Sequence, residues 1–349
     1  MNELAAFIQQ LKTNTSRKKQ DPTAPARYWS EPDMLQGKVV DAFVIIFRTF
    51  GCSWASYSGC TMCGYFTDSC ETKVSSEDML HQFECAMHHY KGESIAKIFT
   101  SGSFFDDHEI DPLTREKIFR RLSKTTKKIS VESRPEYVTD QTIDEMKSWC
   151  EPSTIEIGIG LETASDVVRE YTINKGFCFK DYQQAATTIH KKDGEVKTYV
   201  LVKPPFLTEH EALHDCVHTV KKIAPYTDTI SFNPVNVQRG TVVEYLWRRH
   251  QYRPPWLWTI VDILHQSSQN AKQKRLACDV VGGGSIRGAH NCRTCDTKVL
   301  QAIKEFSLTQ DIGVFDALDC SCKEKWRDQL SLESLSYGSL IDTLGGFHE

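Results

Sequence analysis

The sequence lacks the features of secreted, membrane-spanning and low-complexity proteins. It has no N-terminal apolar segment of the signal-peptide type and no run of about 18 apolar residues, so we expect a cytoplasmic protein that does not cross a membrane. It has no internal repeat beyond alternating strand and helix patterns. Its net charge is −4, so it has no overall basic character, and any contact with nucleic acid must come from local patches.

Cysteine, in contrast, is abundant, with 13 residues in a chain of 349. An odd number of thiols in a protein expected in a reducing compartment argues against a disulfide framework and favours metal binding. Cys52, Cys60 and Cys63 form a C-x7-C-x2-C array directly after the apolar run from Val39 to Phe47. The spacing alone leaves three interpretations open: an iron–sulfur cluster with one free iron, a zinc site completed by a fourth ligand, or thiols without a metal.

Strand and helix patterns alternate from Val39 onward. Six apolar strand patterns lie at 39–47, 95–100, 128–132, 154–159, 197–202 and 229–233. This alternation predicts β-α-β units, a parallel sheet and right-handed crossovers. Six units are too few for a closed eight-stranded barrel, and they suit an open partial barrel or a doubly wound sheet. In either fold the active site lies at the C-terminal ends of the strands, where the three-cysteine loop falls.

The alternation ends near residue 236, which predicts a division of the chain. We expect an N-terminal helix and extended arm at 1–38, a core at 39–238 and a cysteine-rich domain at 239–349. Two local patches permit contact with nucleic acid: the basic stretch 115–128 and the Trp, Tyr and Arg residues of 247–258. An amphipathic helix surface and an aromatic core are the alternative explanations of these two patches.

A second group of thiols lies in the last quarter of the chain. It combines C-x2-C with a later C-x-C and one earlier cysteine, as follows: Cys278, Cys292, Cys295, Cys320 and Cys322. This spacing resembles that of a zinc ribbon, so we expect four of the five to bind a structural zinc ion. An auxiliary iron–sulfur cluster and thiols without a metal are the alternatives.

Polar residues follow the second, third and fourth predicted strands. They are Ser101, Gly102 and Ser103, then Glu132 and Arg134, and then Glu162 and Arg169. A glycine in such a turn lets the backbone approach a ligand closely, and an opposed Glu and Arg can grip a zwitterion such as an amino acid. A structural ion pair is the alternative for Glu132 and Arg134. The glycines at 158–160 match the dinucleotide fingerprint poorly, so nicotinamide binding is not expected.

Taken together, these segments resemble radical S-adenosylmethionine (SAM) enzymes of the Elongator catalytic-subunit type, and more closely the archaeosine-forming radical SAM proteins (RaSEA). The resemblance covers about residues 40–330. It is carried by G-C-S-W to G-C-T-M-C-G-Y (51–65), F-T-S-G-S-F-F-D (99–106), E-S-R-P-E (132–136), G-L-E-T (160–163), N-K-G (174–176), V-K-P-P-F (202–206), R-G-A-H-N-C-R-T-C-D (287–296) and D-C-S-C (319–322). It implies a partial (β/α)6 TIM-type radical SAM barrel followed by a C-terminal metal-binding α+β domain.

The resemblance also implies roles for individual residues. Cys52, Cys60 and Cys63 would hold a 4Fe-4S cluster whose free iron binds SAM. The SAM-binding residues would be Met62, Ser101, Gly102, Ser103, Glu132, Arg134, Glu162 and Arg169. The family usually carries C-x3-C-x2-C, and the longer first gap here makes Cys70 an alternative first ligand. A loop insertion explains the gap, because loop-closure entropy grows slowly with length.

The implied activity is that of a tRNA-modifying lyase. A lysine-adducted 7-deazaguanine at position 15 of the tRNA D-loop would become archaeosine by C–N cleavage. The implied partners are tRNA, the transglycosylase-like archaeosine synthase subunit that transfers the lysine, and an electron donor. Two alternatives remain: another Elongator-like radical SAM enzyme that modifies RNA, and a non-catalytic zinc-binding RNA adaptor. The first is disfavoured because no recognisable acetyltransferase domain follows the barrel.

Overall fold

One eight-stranded sheet, with its strands side by side in chain order, forms the centre of the fold. The computed structural model describes residues 3–16 and 19–335. The strands are β1 Arg27–Leu35, β2 Lys38–Ile46, β3 Ile95–Phe99, β4 Lys128–Glu132, β5 Thr154–Glu162, β6 Glu195–Val202, β7 Thr229–Pro234 and β8 Arg275–Cys278. Strand β1 is antiparallel to β2, and every later neighbour is parallel. The six predicted strands are confirmed as β2 to β7.

The strand order identifies the sheet as a partial barrel. Each right-handed crossover moves to the next strand in the same direction, so the connecting helices lie on one face of the sheet. A doubly wound sheet would instead reverse its order at a switch point. The sheet also curls, so that its two edge strands β1 and β8 approach each other. Arg275 on β8 forms an ion pair with Asp33 on β1 and donates to the carbonyl of Met34 at 3.4 Å. The predicted partial barrel is therefore confirmed.

Capping residues set where several helices begin. Ser75 accepts a hydrogen bond from the amide of Asp78 at 3.0 Å, and Thr139 accepts one from Thr142 at 3.1 Å. The helices are α1 Glu3–Thr13, α2 Ser53–Tyr57, α3 Ser76–Met87, α4 Pro112–Leu122, α5 Asp140–Cys150, α6 Asp166–Val168, α7 Phe179–Lys191, α8 Glu209–Ile223, α9 Val242–Arg248, α10 Leu257–Asn270, α11 Asp296–Thr309 and α12 Cys322–Ser334. None of them, within the described ranges, is both long and apolar enough to cross a membrane.

The two faces of the barrel strands differ in polarity. On β5, Ile155, Ile157, Ile159 and Leu161 belong to the hydrophobic core between sheet and helices. The alternate residues of β5 face the lumen, since a Cβ added at Gly158 would lie 2.9 Å from the ring of Tyr199 on β6. The lumen is therefore lined by glycine and polar side chains.

Two strands lie outside the six predicted ones. Strand β8 has only four residues, too few to give a periodic signal, and it extends the sheet beyond residue 239. Strand β1 occupies part of the predicted extended arm, and its Pro32 is tolerated because β1 is an edge strand of the sheet. The three-part division of the chain stays a prediction.

Candidate functional site

The three-cysteine loop follows β2, at the C-terminal edge of the parallel strands. Cys52 caps the short helix α2, and all three thiols are half-exposed. Burial by surrounding protein nevertheless raises the pKa of Cys60 and raises that of Cys63 to about 12, with the nearby Cys52 thiol adding to both shifts. These thiols are surrounded by protein and still reached by solvent, which is the placement that a ligand needs.

The long gap between the first two cysteines is an ordered element. It contains α2, and residues distant in sequence hold it in place. Lys12 on α1 donates to the carbonyl of Ala55 at 2.7 Å, and Gln9 donates to that of Ser58 at 2.6 Å. The side chain of Asn174 donates to the carbonyl of Gly59 at 2.6 Å. The insertion therefore fixes Cys52 relative to Cys60.

Cys70, the alternative first ligand, lies elsewhere. It is 5% exposed and packs in the main hydrophobic core, with its amide bonded to the carbonyl of Thr49 at 2.8 Å. Burial raises its pKa, and the charged groups that act on it are Arg48, Asp21 and Asp78, with no contribution from the other thiols of the loop. These surroundings support Cys52 as the first ligand.

Gly102 lies against the cysteine loop. A Cβ at this position would lie 2.6 Å from the Cα of Cys52, so any side chain would push the loop away. Gly102 therefore lets the backbone of this turn approach the cysteine loop closely, and its role toward SAM stays a prediction. Ser101, before it, is half-buried.

Glu109 joins this turn to the cysteine loop. Its carboxylate accepts hydrogen bonds from the Thr49 hydroxyl and the Ser103 amide, each at 2.5 Å. Burial raises the pKa of Glu109 to about 7, although these donors act in the opposite direction. The hydroxyl of Ser103 accepts from the amide of Arg134 at 3.0 Å, which ties the turn to the end of β4. No sequence pattern had marked Glu109 as a site residue.

Glu132 and Arg134 point to different partners. Glu132 lies in the lumen, where burial raises its pKa and the hydroxyl of Tyr199 donates to it. Arg134 donates to the Glu136 carboxylate at 2.5 Å, and its guanidinium carbon lies 5.3 Å from the ring centroid of Trp54. Glu132 and Arg134 are therefore not paired with each other.

Glu162 pairs with Lys175, a residue to which the sequence had assigned no role. Their side chains are 2.6 Å apart, and Glu162 adopts a left-handed backbone conformation with φ of 72° at a β-bulge. Burial opposes the charge of Lys175, yet Glu162 and Cys60 hold its pKa above the usual value. Lys175 therefore places a cation beside the cysteine loop, and its only sequence signal is the N-K-G turn.

Arg169 and Met62 both make contacts with other residues of the protein. Arg169 is 1% exposed and donates to the carbonyls of Thr163 at 2.5 Å and Phe177 at 3.0 Å, and also to Asp166. Burial lowers the pKa of Arg169 to about 10. Met62 packs beside Cys60 against a small apolar cluster. The roles of both residues toward SAM stay predictions.

The second thiol group gathers beside the N-terminal ends of α11 and α12. The sulfurs of Cys292, Cys295, Cys320 and Cys322 lie within 4.8 Å of one another. The pairs Cys292–Cys320 and Cys295–Cys322 are 3.6 Å apart, and Cys292–Cys295 is 3.8 Å apart. Backbone amides of Cys295 and Thr294 lower the pKa of Cys292 to about 6. Four gathered sulfurs with amide donors form a candidate metal centre.

Two side chains missed by sequence reasoning donate to these sulfurs, and one predicted ligand is absent from the group. The indole of Trp258 donates to Cys322 at 3.2 Å, and the amide of Asn291 donates to Cys295 at 3.4 Å. Such donors stabilise thiolates and orient them. Cys278, at the end of β8, is buried in the core, and its amide bonds to Ser307 at 3.0 Å.

Comparison with known proteins finds two relatives named archaeosine synthase subunit beta. The Methanosarcina acetivorans protein is 42% identical over 328 residues, which cover 93% of this chain and 95% of that protein. The Thermococcus kodakarensis protein is 39% identical over 306 residues, which cover 86% and 94%. Among solved structures, Elp3 of Methanocaldococcus infernus aligns with 76% of this chain and 63% of its own, with 12% identity and a TM-score of 0.49. No protein-family model matches the chain.

Proposed function

The chain belongs to the archaeosine synthase subunit beta family, and on that premise we propose that it is a radical SAM enzyme of archaeosine biosynthesis. Its reaction would convert a lysine-adducted 7-deazaguanine at position 15 of the tRNA D-loop to archaeosine by C–N cleavage. The partners would be tRNA, the subunit that transfers the lysine, and an electron donor.

The division of the thiols into two groups carries this proposal. Within residues 3–16 and 19–335, only the second group is gathered as a set of three or more metal-ligand atoms. Cys52, Cys60 and Cys63 form a separate set of three, and Cys70, the alternative ligand, packs in the core. A 4Fe-4S cluster takes its ligands on separate irons, and three cysteines leave one iron free. Three half-buried thiols at the strand ends fit that group.

When bound at Cys52, Cys60 and Cys63, such a cluster would supply the electron for reductive cleavage of a SAM C–S bond. The chain's own residues would position SAM beside it. Gly102 leaves room for close approach at Cys52, while Glu132 offers a carboxylate in the lumen. The Glu162–Lys175 pair adds an anion and a cation beside Cys60. We assign these groups to the ribose and methionyl ends of SAM.

The proposed substrate reaction needs a hydrogen atom removed from the lysyl side chain. The lumen is the place for that side chain, because it opens at the strand ends beside the three cysteines. Protein atoms enclose Glu132 and Tyr199 there, and burial raises the pKa of both groups. A partly desolvated lumen would keep water away from a radical.

For the four-cysteine group we propose a structural zinc ion. A tetrahedral zinc with Zn–S bonds of about 2.3 Å holds its sulfurs about 3.8 Å apart. The three sulfur pairs at 3.6, 3.6 and 3.8 Å match that spacing. An auxiliary iron–sulfur cluster, the alternative, would spread the four sulfurs further apart because irons and sulfides lie between them.

The proposal is tested with protein purified without oxygen. We expect brown protein that binds iron and forms 5′-deoxyadenosine from SAM with dithionite as reductant. With tRNA carrying the lysine adduct, mass spectrometry of the nucleosides should show archaeosine. Colourless protein that contains two zinc ions would instead support the RNA adaptor. 5′-Deoxyadenosine with a different modified nucleoside would support another RNA-modifying enzyme of the same chemistry.

A further inference from the structure

A groove of about 780 Å³ runs beside the end of α9 and the loop that follows it. Its lining includes Trp247, Arg248, Tyr252 and Arg253 from one segment, and Ile286 and His290 from another. The surface is open, since Arg248 and its neighbours at 249–251 are exposed and Ile286 is 49% exposed. Neither thiol group contributes a cysteine to it.

Arginine and aromatic side chains are stacked along this region. The guanidinium carbons lie 3.6 Å from the ring centroid for Arg249 over Tyr245, 4.1 Å for Arg253 over Trp256 and 4.8 Å for Arg287 over Trp247. Arg253 is fixed further by hydrogen bonds to the carbonyls of Pro254 at 2.8 Å and His290 at 2.7 Å. Stacking holds the guanidinium planes in place before any ligand arrives, so less rotamer entropy is lost on binding.

Positive charge prevails along the groove, although the chain as a whole carries a net charge of −4. Glu244 is the acid that pairs with its arginines, at 3.1 Å from Arg248 and 2.8 Å from Arg287. Among the described residues, no carboxylate forms an ion pair with Arg249 or Arg253. The groove therefore suits an anionic ligand.

The groove adjoins the three-cysteine loop. The hydroxyl of Tyr252 donates to the carbonyl of Lys203, just past β6, at 2.7 Å. Tyr252 and Trp247 pack in the same apolar cluster as Cys60 and Met62. A ligand lying in the groove would thus be next to the mouth of the barrel.

The four-cysteine group borders the groove on the opposite side. His290, whose carbonyl fixes Arg253, lies two residues before Cys292. A metal that holds Cys292 and Cys295 would therefore also hold one wall of the groove.

We infer that this groove binds the unpaired, looped part of an RNA, with arginines on phosphates and aromatic faces beneath bases. Unpaired RNA offers both phosphates and flat bases, whereas an acidic protein surface offers only the anions. The inference rests on the proposed function in assuming that the substrate is RNA. It adds where the RNA lies and which residues meet it.

The test measures binding of a transcribed tRNA to the full-length protein by fluorescence anisotropy over a range of salt concentrations. The Arg248→Ala/Arg249→Ala variant should bind about tenfold more weakly, and its salt slope should fall by about 1 to 2. Lys191→Ala/Lys192→Ala at the end of α7 is the matched control, because Lys191 and Lys192 pair with Asp140 and Asp144 as Arg248 pairs with Glu244. The side chains of Lys191 and Arg248 are 69% and 63% exposed. The control should bind tRNA within twofold of the wild type.

A second pair of variants changes charge without removing arginine. Ile286→Glu adds an anion to the groove and should weaken tRNA binding, whereas Val39→Glu, at a position 56% exposed on β2, should not. Equal losses in the groove variants and in the two control variants would overturn the inference. Unchanged tRNA binding in the groove variants would also overturn the inference. This includes the outcome in which those variants bind tRNA normally but no longer bind the partner subunit.

Wild-type protein separates this inference from the proposed function. If it binds tRNA through the groove but forms no 5′-deoxyadenosine, the proposed function fails and the groove assignment stands. If it forms 5′-deoxyadenosine while the groove variants bind tRNA like the wild type, the groove assignment fails and the proposed function stands.

Discussion

The two thiol groups of this chain differ in how many cysteines they contain and in what holds them. The sulfurs of Cys292, Cys295, Cys320 and Cys322 lie within 4.8 Å of one another, beside the ends of two helices. The three-cysteine loop is half-buried at the strand ends and is held by α1 and by Asn174, far away in sequence. We propose a closed structural site for the first group and an open reactive site for the second.

Electrostatics set one thiol of the four-cysteine group apart from the three-cysteine loop. Backbone amides lower the pKa of Cys292 to about 6, so this thiol is prepared to bind a metal as a thiolate, whereas burial raises the pKa of Cys295 and of Cys322. Burial raises the pKa of Cys63 to about 12. Cysteines in this chain can therefore be assigned to two different roles only when their grouping and the hydrogen-bond donors around their sulfurs are considered together.

The largest expected effect comes from removing an open-site ligand. Cys60→Ala should abolish iron binding and 5′-deoxyadenosine formation, because two cysteines cannot retain the cluster. Zinc content and thermal unfolding should stay close to those of the wild type. Cys70→Ala is the control and should keep its iron. Loss of iron in Cys70→Ala, with retention in Cys52→Ala, would reverse the assignment of the first ligand.

Removing a closed-site ligand should reverse this pattern. Cys320→Ser is expected to lose zinc and to lower the unfolding midpoint by several degrees, because the metal stabilises the segment that it closes. Iron should be retained in reconstituted protein. Cys278→Ser tests a buried cysteine outside the group and should keep its zinc, as measured by metal analysis. Zinc loss in Cys278→Ser would show that the four ligands are misassigned.

The close approach at Gly102 sharpens the comparison without changing a ligand. Gly102→Ala places a Cβ 2.6 Å from the Cα of Cys52, so we expect a shifted loop and at least about a tenfold slower formation of 5′-deoxyadenosine. The loss of stability should be about 1 to 3 kcal/mol. Gly313→Ala, where a Cβ meets only the Asp311 side chain, is the control. Wild-type rates in Gly102→Ala would contradict the assigned contact.

The smallest expected effect is a pH dependence that involves neither thiol group. Asp215 on α8 is 1% exposed and accepts a hydrogen bond from Thr163 at 2.6 Å. Burial raises the pKa of Asp215 from 3.8 to about 7. The folded state therefore binds the proton more tightly than the unfolded state, and the contribution of Asp215 to stability falls as pH rises from about 4 to 7.

Asp215→Asn removes that titration. Its stability relative to the wild type should increase between pH 5 and pH 8, as measured by urea unfolding. Iron and zinc contents should not change at either pH. A difference between variant and wild type that is the same at both pH values would contradict the assigned pKa.

Contiguous motifs made much of the fold and site predictable. The six strands and the turns that follow them are read from local patterns, and the three-cysteine array is one short segment. Contacts between distant segments were not predictable: Glu109 with Thr49, Lys175 with Glu162, and α1 with the cysteine loop. Each depends on which segments the folded sheet brings together. The exclusion of Cys278 has the same cause, since β8 places it in the core.

Metal analysis of anaerobically purified protein, combined with 5′-deoxyadenosine formation, tests the difference between the two thiol groups most directly. We expect about four irons and one zinc per chain, with the irons lost in Cys60→Ala and the zinc lost in Cys320→Ser. We also expect 5′-deoxyadenosine only from protein that contains iron. Protein with two zinc ions, no iron and no 5′-deoxyadenosine after reconstitution would contradict the assignment of an open, reactive site to Cys52, Cys60 and Cys63.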